Sequence, residues 1–261
     1  MILAIDIGNT STNCGVFAKG KLISHFSMAT QPWRTPDEVT LQLNALANTR
    51  RLHLSKAKEI ILCSVVPRMS SVLTEALKSL AESRAKRGNA IPVRIVGQDV
   101  IVPLKNRYTY PEQVGQDRLV GAYAAWRAYK RDCIVADFGT AITIDVVTKK
   151  GEYLGGVIAP GLEISLEALA MKTALLPKVD LRQPPELLGR DTANSIRSGI
   201  LYGCVALCDG LVTQLKRRYA PKAAVVATGG ASALIAKHAR TIDQIKPHLV
   251  LEGLNQLGLI I

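Results

Sequence analysis

One short pattern occurs twice in this chain. Asp6-Ile7-Gly8-Asn9-Thr10-Ser11-Thr12 and Asp137-Phe138-Gly139-Thr140-Ala141-Ile142-Thr143 share the form D-x-G-x-x-x-T, 131 residues apart in a chain of 261. An apolar run precedes each copy, Ile2-Leu3-Ala4-Ile5 and Ile134-Val135-Ala136. A buried strand that ends in Asp and turns over Gly beside small hydroxyl residues is suited to handling phosphate. Gly lets the backbone come close and adopt unusual dihedrals, and successive N–H groups of such a turn form an anion-binding concavity. The carboxylate cannot face phosphate directly; it serves by holding a cation or a water that bridges to it. One copy alone also fits a tight hairpin whose Asp caps its own turn. Two copies half a chain apart point instead to a duplicated architecture.

The periodicity around the first copy predicts strands over 2–6, 13–18 and 21–27, with a turn at Lys19-Gly20. Thr35-Pro36-Asp37-Glu38 has the form of a helix start, with Thr as cap, Pro first and Glu three residues on, followed by Val39, Leu43 and Leu46 on one face. A buried strand over 59–66, a helix marked by Met69, Leu73, Ala76, Leu77 and Leu80, and a strand over 92–97 complete a β-β-β-α-β-α-β order, an α/β plan with mixed sheets. Residues 98–112 read as a loop and 112–130 as a helix. The plan then repeats. Strands are expected over 133–137, 142–148 and 153–158, a helix from Pro160-Gly161, and a long helix over 192–219 with Ile196, Ile200, Leu207, Leu211 and Leu215 in series. A strand over 223–227 is cut by Thr228-Gly229-Gly230, and a short helix and a strand over 249–251 close the chain. The expected division is an N-terminal lobe, 1–112, with the first hairpin, and a C-terminal lobe, 113–261, with the second hairpin and the Gly turn, joined around one cleft.

Composition narrows the function classes. A hydrophobic content of 48% with 21% charged residues is that of a globular protein. No uninterrupted apolar run approaches the roughly 18 residues of a membrane span, and Met1 leads into a strand with no basic leader, so a cytoplasmic protein without a membrane role is expected. The five Cys (Cys14, Cys63, Cys133, Cys204, Cys208) and four His fit no disulfide or zinc spacing; Cys204 and Cys208, one helical turn apart, read as core thiols. The net charge of +12 raises nucleic-acid binding. The basic residues are dispersed (Arg50-Arg51, Arg84 to Arg87, Lys149-Lys150, Lys216 to Arg218), however, near expected helix ends and turns, where they complement the helix dipole. Aromatic residues, 5% of the chain, do not interleave with them, so nucleic acid is not an expected partner.

Gly115-Gln116-Asp117-Arg118 lies at a loop-to-helix junction between the two hairpins. Asp in a first helical turn is favoured by the dipole alone. The functional alternative is a general base that orients a substrate hydroxyl during phosphoryl transfer, with Arg118 beside it to clamp a carboxylate or phosphate.

Two phosphate hairpins and a strand ending in Thr-Gly-Gly resemble the actin-like ATPase and sugar-kinase superfamily, whose ribonuclease H-like lobes grip one nucleotide. The full set of segments resembles type III pantothenate kinases. The segments are Asp6-Ile-Gly-Asn-Thr10, Gly115-Gln-Asp-Arg118, Asp137-Phe-Gly-Thr-Ala141, Gly155-Gly-Val-Ile-Ala-Pro-Gly161, Gly189-Arg-Asp-Thr192 with Ser198-Gly199, Thr228-Gly-Gly230 and Leu251-Glu-Gly-Leu254, in family order across nearly the whole chain. The resemblance implies ATP-dependent phosphorylation of pantothenate, the first step of coenzyme A biosynthesis. It implies that Asp6, Ile7, Gly8, Asn9, Thr10, Ser11, Thr12 and Asn13 bind ATP phosphates with Mg²⁺ near Asp6, that Thr140 touches ATP, and that Gly229 and Gly230 lie near the adenosine. Asp117 would accept the proton of the substrate hydroxyl. Gly115, Gln116, Asp117, Arg118, Tyr108 and Thr192 would line the pantothenate pocket, and Asp137 would hold a monovalent cation, K⁺ or NH₄⁺. A homodimer is implied. The chain departs from the family at Tyr108-Thr-Tyr110-Pro111, where Asn more often precedes the Pro, which leaves Tyr108 and Tyr110 both open as the pocket residue, and at Leu249-Val-Leu251, where Thr is usual in the middle. A relative of this fold that regulates transcription is the alternative; intact Asp6, Asp117 and Asp137 favour the enzyme.

Overall fold

Ile2–Ile7 (β1) turns over Gly8 into Ser11–Ala18 (β2), and β2 turns into Lys21–Ala29 (β3). Lys19 at φ 49° and Gly20 at φ 76° make the second turn, which needs left-handed backbone. Pro36–Thr49 (α1) starts on the expected capping box: Thr35 accepts from the Glu38 N–H and the Glu38 carboxylate accepts from the Thr35 N–H at 2.8 Å. Glu59–Ser64 (β4), Pro67–Ala85 (α2) and Val93–Ile95 (β5) follow. The sheet order is β3-β2-β1-β4-β5, with β1 antiparallel to β2 and parallel to β4. Leu3, Ile5 and Ile7 project from one face of β1 into a cluster with Val39 and Leu43 of α1 and Met69, Leu73 and Leu77 of α2. This is a computed structural model, and it describes residues 1–85 and 91–260. The side chains of Leu80 and Arg84, and Lys86 and Arg87 of the same basic cluster, lie outside the described residues.

The second half repeats this sheet. Cys133–Phe138 (β7), Ala141–Val147 (β8), Glu152–Pro160 (β9), Ala224–Thr228 (β10) and Gln244–Ile245 (β11) stand in the order β11-β10-β7-β8-β9. Even the irregularity recurs: β2 and β3 slip register at Val16/Phe17, and β8 and β9 slip at Val146/Val147. One strand is extra. The stretch expected as a plain loop contains Lys105–Asn106 (β6), paired in parallel with β9. The helix expected from 112 starts later, at Gln116–Tyr129 (α3), after a 3₁₀ turn at Pro111–Gln113. Leu162–Lys172 (α4) begins at Gly161 as cap. Thr192–Tyr219 (α5) begins where expected, but its buried stripe is Ile196, Leu201, Cys204, Val205, Cys208 and Val212. Ile200, Leu211 and Leu215 flank that stripe half-buried. By length and composition α5 would pass for a membrane span; here it is a core helix packed against Ile134, Phe138 and Ile144 of the sheet. Both of its thiols are free and in the core, as the spacing predicts. Ser232–Ala236 (α6) is a single short helix.

The strand expected over 249–251 is instead the start of a helix, Leu249–Gly258 (α7). Three consecutive apolar residues fit either period. Leu254 and Leu257, on the helical spacing from Val250 and Leu251, are buried with them and extend the run into one apolar helix face. On α7, a Cβ at Gly253 would lie 2.6 Å from the Val120 carbonyl oxygen of α3, and one at Gly15 of β2 would lie 3.1 Å from Leu251. The chain accordingly divides into two compact units whose bounds differ from 1–112 and 113–261. The first is Met1–Pro103, Glu112–Ala124 and Val250–Ile261; the second is Leu104–Pro111 and Ala125–Leu249.

Gly253 generates a test of this packing. In an exposed helix interior, Gly→Ala stabilises by about 0.5–1 kcal/mol. At 253 the new methyl would strike the α3 backbone, and overpacking costs about 1–3 kcal/mol, so Gly253→Ala should lower stability on balance. A thermal midpoint at or above that of the parent protein would contradict the α3–α7 contact.

Candidate active site

Asp6, on β1, is paired in the sheet with Asn13 on β2 and Cys63 on β4. Its Oδ1 accepts a hydrogen bond from the Cys63 thiol at 3.3 Å. Burial, and then the negative charge of Asp117, push the Asp6 pKa up to about 7, against the opposing hydrogen bonds from Cys63 and Asn13. The Cys63 thiol is itself held well above its ordinary range by burial and by both carboxylates, so it stays a donor. The turn beyond is closed by the Gly8 N–H on the Ser11 carbonyl at 3.0 Å. Thr12 is buried and its hydroxyl lies 3.0 Å from that of Thr30, which in turn donates to the Gly8 carbonyl at 2.7 Å. Thr12 thus braces the turn from behind, and Ile7 is in the core. Asn9 and Thr10 are exposed, while Ser11 and Asn13 are half-buried.

Asp117 lies in the first turn of α3, where the helix dipole favours its charge. Its Oδ1 accepts from the Arg118 N–H at 2.8 Å. A Cβ on Gly115 would sit 2.5 Å from that same oxygen, so a side chain there would make the carboxylate move. Gln116 is accommodated in the same way: Gly97, at φ +87°, would carry a Cβ 2.9 Å from the Gln116 amide carbon. Gln116 lines a groove of about 640 Å³ with Gly97, Ser64 and the α2 residues Ser71, Thr74 and Lys78. The first unit therefore brings Asp6, Asn13, Cys63 and Asp117 together.

In the second unit Asp137, near the end of β7, is flanked by Thr143 on β8 and Thr228 on β10. The turn after β10 is laid directly on it. Gly229 has φ +87°, and a Cβ there would lie 2.3 Å from Asp137 Oδ1 and 2.7 Å from the Phe138 backbone. Gly230 faces open space. Gly161 closes the hairpin turn from another side, its N–H donating to the Thr140 carbonyl at 3.1 Å. Tyr108 is half-buried, with its ring against Gly155, whereas Tyr110 is 58% exposed. Thr192 is exposed at the start of α5, next to the cap residue Asp191, whose carboxylate accepts from the Asn194 N–H at 2.8 Å.

Two partners went unread in the sequence. Cys63 counted only as one of five scattered thiols, because nothing local links it to Asp6; the parallel register of β1 and β4 does. Asp145, in mid-strand on β8, is buried and accepts from the Tyr153 hydroxyl at 2.7 Å. Among the described residues no cluster of three His, Cys, Asp or Glu side chains could hold a metal ion. The paired carboxylates of Asp6 and Asp117 suit a cation that takes its other ligands from phosphate and water.

A sequence model of type III pantothenate kinases matches residues 2–214. The chain belongs to that family. It is 40% identical over 254 residues to the type III pantothenate kinase of Moorella thermoacetica, covering 97% of each chain. Among solved structures, it is similar to a provisionally named 2-dehydro-3-deoxygalactonokinase of Sinorhizobium meliloti, with a TM-score of 0.58, 14% identity and coverage of 100% and 99% of the two chains. It is also similar to a provisionally named Baf family transcriptional activator of Campylobacter jejuni, with a TM-score of 0.55, 18% identity and coverage of 98% and 96%. At these identities the structural likenesses establish the actin-like, sugar-kinase fold alone.

The raised pKa of Asp6 has a measurable sign. Folded, the group titrates near 7; unfolded, near its ordinary 3.8. Between those values the native state holds a proton that the unfolded chain has released, so this contribution to stability is complete below about pH 4 and is lost as pH rises through about 7. Without Mg²⁺, urea unfolding of the parent protein should lose more stability from pH 5 to pH 8 than Asp6→Asn does. Equal losses would mean that Asp6 titrates normally.

Proposed function

We propose that this protein transfers the γ-phosphoryl group of ATP to the primary hydroxyl of pantothenate, giving 4′-phosphopantothenate and ADP, the first step of coenzyme A biosynthesis, in the cytoplasm. The observation that carries this reading, beyond family membership, is the Asp117 carboxylate at a helix start, bonded by the Arg118 N–H and close enough to Asp6 to contribute to raising its pKa. A carboxylate beside a phosphate-binding hairpin is what the reaction requires, because phosphoryl transfer depends on positioning and on charge neutralisation. Asp117 orients the substrate hydroxyl and accepts its proton as the oxygen attacks phosphorus and the bond to ADP breaks. Arg118 pairs with a negative group of the substrate, and Tyr108, Gly115, Gln116 and Thr192 complete the pantothenate pocket. Tyr108 is preferred to Tyr110 because its ring is fixed against Gly155.

The first hairpin, Asp6 to Asn13, presents backbone N–H groups to the ATP phosphates. Asp6 holds Mg²⁺, which when bound supplies positive charge to the phosphates. Asp6 retains a proton up to about pH 7 because it is buried and, second, because Asp117 is close; a bound cation offsets both costs of its charge. Asp137 holds a monovalent cation, K⁺ or NH₄⁺, Thr140 contacts ATP, and the open space at Gly230 beside Gly229 admits the adenosine. A homodimer is supported by large apolar side chains exposed on and after α4: Ile164, Met171, Leu175, Leu187 and Leu188, since exposed apolar surface of this kind marks interaction sites where it is contiguous.

The deciding assay measures ADP release with ATP, Mg²⁺ and K⁺, with and without pantothenate; release indifferent to pantothenate would sink the reading. Asp117→Asn should lower kcat by about 10²–10⁴-fold with ATP affinity retained. A near-normal rate in that variant would remove Asp117 as the base. Replacing K⁺ with Na⁺ should sharply reduce activity, and Asp137→Asn should abolish the difference between the two cations. A parent enzyme that works equally well in both would take the cation away from Asp137.

A further inference from the structure

The segment that carries Tyr108 is bound to β9 by a continuous set of contacts. The β6 residues Lys105 and Asn106 pair with Glu152 and Tyr153. The Arg107 N–H donates to the Tyr153 carbonyl at 2.9 Å, and its guanidinium bonds the Glu152 carboxylate at 2.5 Å. The Tyr108 N–H donates to Asn106 Oδ1 at 3.0 Å. Tyr153 is thus the residue on which the segment rests, and it is fully buried. Its hydroxyl donates to Asp145 on the neighbouring strand at 2.7 Å.

Between those two anchors the ladder slips. Val147 pairs with Tyr153, Val146 with Gly155 and Asp145 with Gly156, so Leu154 is skipped as a bulge. Bulges re-aim side chains and are common beside functional sites. Here the bulge drives Gly155 to φ +113° and brings the Tyr108 ring to 3.2 Å from where a Gly155 Cβ would be. Gly156 is pressed on the other anchor, with its Cβ position 2.4 Å from Asp145 Oδ1. The two glycines therefore pass between a tyrosine ring and a buried carboxylate. Burying a carboxylate in mid-strand is costly unless it is hydrogen-bonded, and the Tyr153 hydroxyl supplies that bond; the first unit has a bulge at the same place, and in the second unit this pair lies beside it.

We propose that Asp145 and Tyr153 are positioning residues for pantothenate: their hydrogen bond pins the β9 bulge, which sets the height and angle of the Tyr108 ring at the substrate pocket. This rests on the reading that Tyr108 lines that pocket. It assigns the Gly155-Gly156 pair the task of admitting the ring on one side and the carboxylate on the other.

Steady-state kinetics of three variants test it. Tyr153→Phe removes only the hydroxyl and should raise the KM for pantothenate about fivefold or more, leaving kcat and the KM for ATP within about twofold. Gly155→Ala, which displaces the ring directly, should show the same split and stands in if Tyr153→Phe does not fold. Tyr108→Ala should raise the pantothenate KM at least as far, and adding Tyr153→Phe to it should change nothing more, since the effect passes through the ring. An unchanged pantothenate KM in Tyr153→Phe, or an equal rise in both KM values, overturns the inference while leaving Tyr108 in the pocket. An unchanged pantothenate KM in Tyr108→Ala overturns the pocket assignment itself, and the inference with it.

Discussion

Carboxylates in this protein are seated against glycine backbone. Asp117 Oδ1 lies 2.5 Å from the place of a Gly115 side chain, Asp137 Oδ1 lies 2.3 Å from that of Gly229, and Asp145 Oδ1 lies 2.4 Å from that of Gly156. None of these distances leaves room for even a methyl group. Each carboxylate therefore occupies space that a side chain on the glycine would take, and lies directly against main chain. For phosphoryl transfer, which relies on placing charge rather than on covalent chemistry, such seating is a direct way to place an acid group. It also explains why glycine recurs in segments that are not themselves phosphate turns.

The duplicated hairpins foretold a duplicated sheet, and the resemblance extends to strand order and to the slip at Val16/Phe17 and Val146/Val147. The two halves have nonetheless diverged where chemistry is concerned. In the first, burial and then the charge of a second acid raise the proton affinity of the strand-end acid, and a thiol hydrogen bond opposes them. In the second, the strand-end acid is covered by the Gly229 turn. One ancestral plan thus supports two different electrostatic environments.

What the sequence made legible was what local chemistry dictates. The Thr35 capping box, the left-handed turn at Lys19-Gly20 and the start of α5 after Asp191 each depend on a few adjacent residues, and each is where the pattern put it. Asp6, Asp117 and Asp137 stood out for the same reason, as acids beside glycine turns. Features set by distant partners were not legible. Val250 and Leu251 became helix because α3 and β2 offer a surface to that helix. The stripe of α5 was read off Ile196, Ile200, Leu207, Leu211 and Leu215; Ile196 is buried as read, yet beyond it the sheet selected Leu201 and the smaller Cys204, Val205, Cys208 and Val212. Cys63 and Tyr153 matter through strand register, which no stretch of sequence near them encodes.

The first compact unit is assembled from three stretches of chain, the last of them Val250–Ile261. Most of the second unit, Ala125–Leu249, is continuous and precedes that stretch. During synthesis the ribosome therefore releases everything the second unit needs before the helix that packs on Gly15 and Val120 has emerged. The unit that holds β1 is thus closed by residues made after Leu249, and the strand bearing Asp6 gains its contact with α7, at Ile2 and Gly258, only after the second unit's chain has been made.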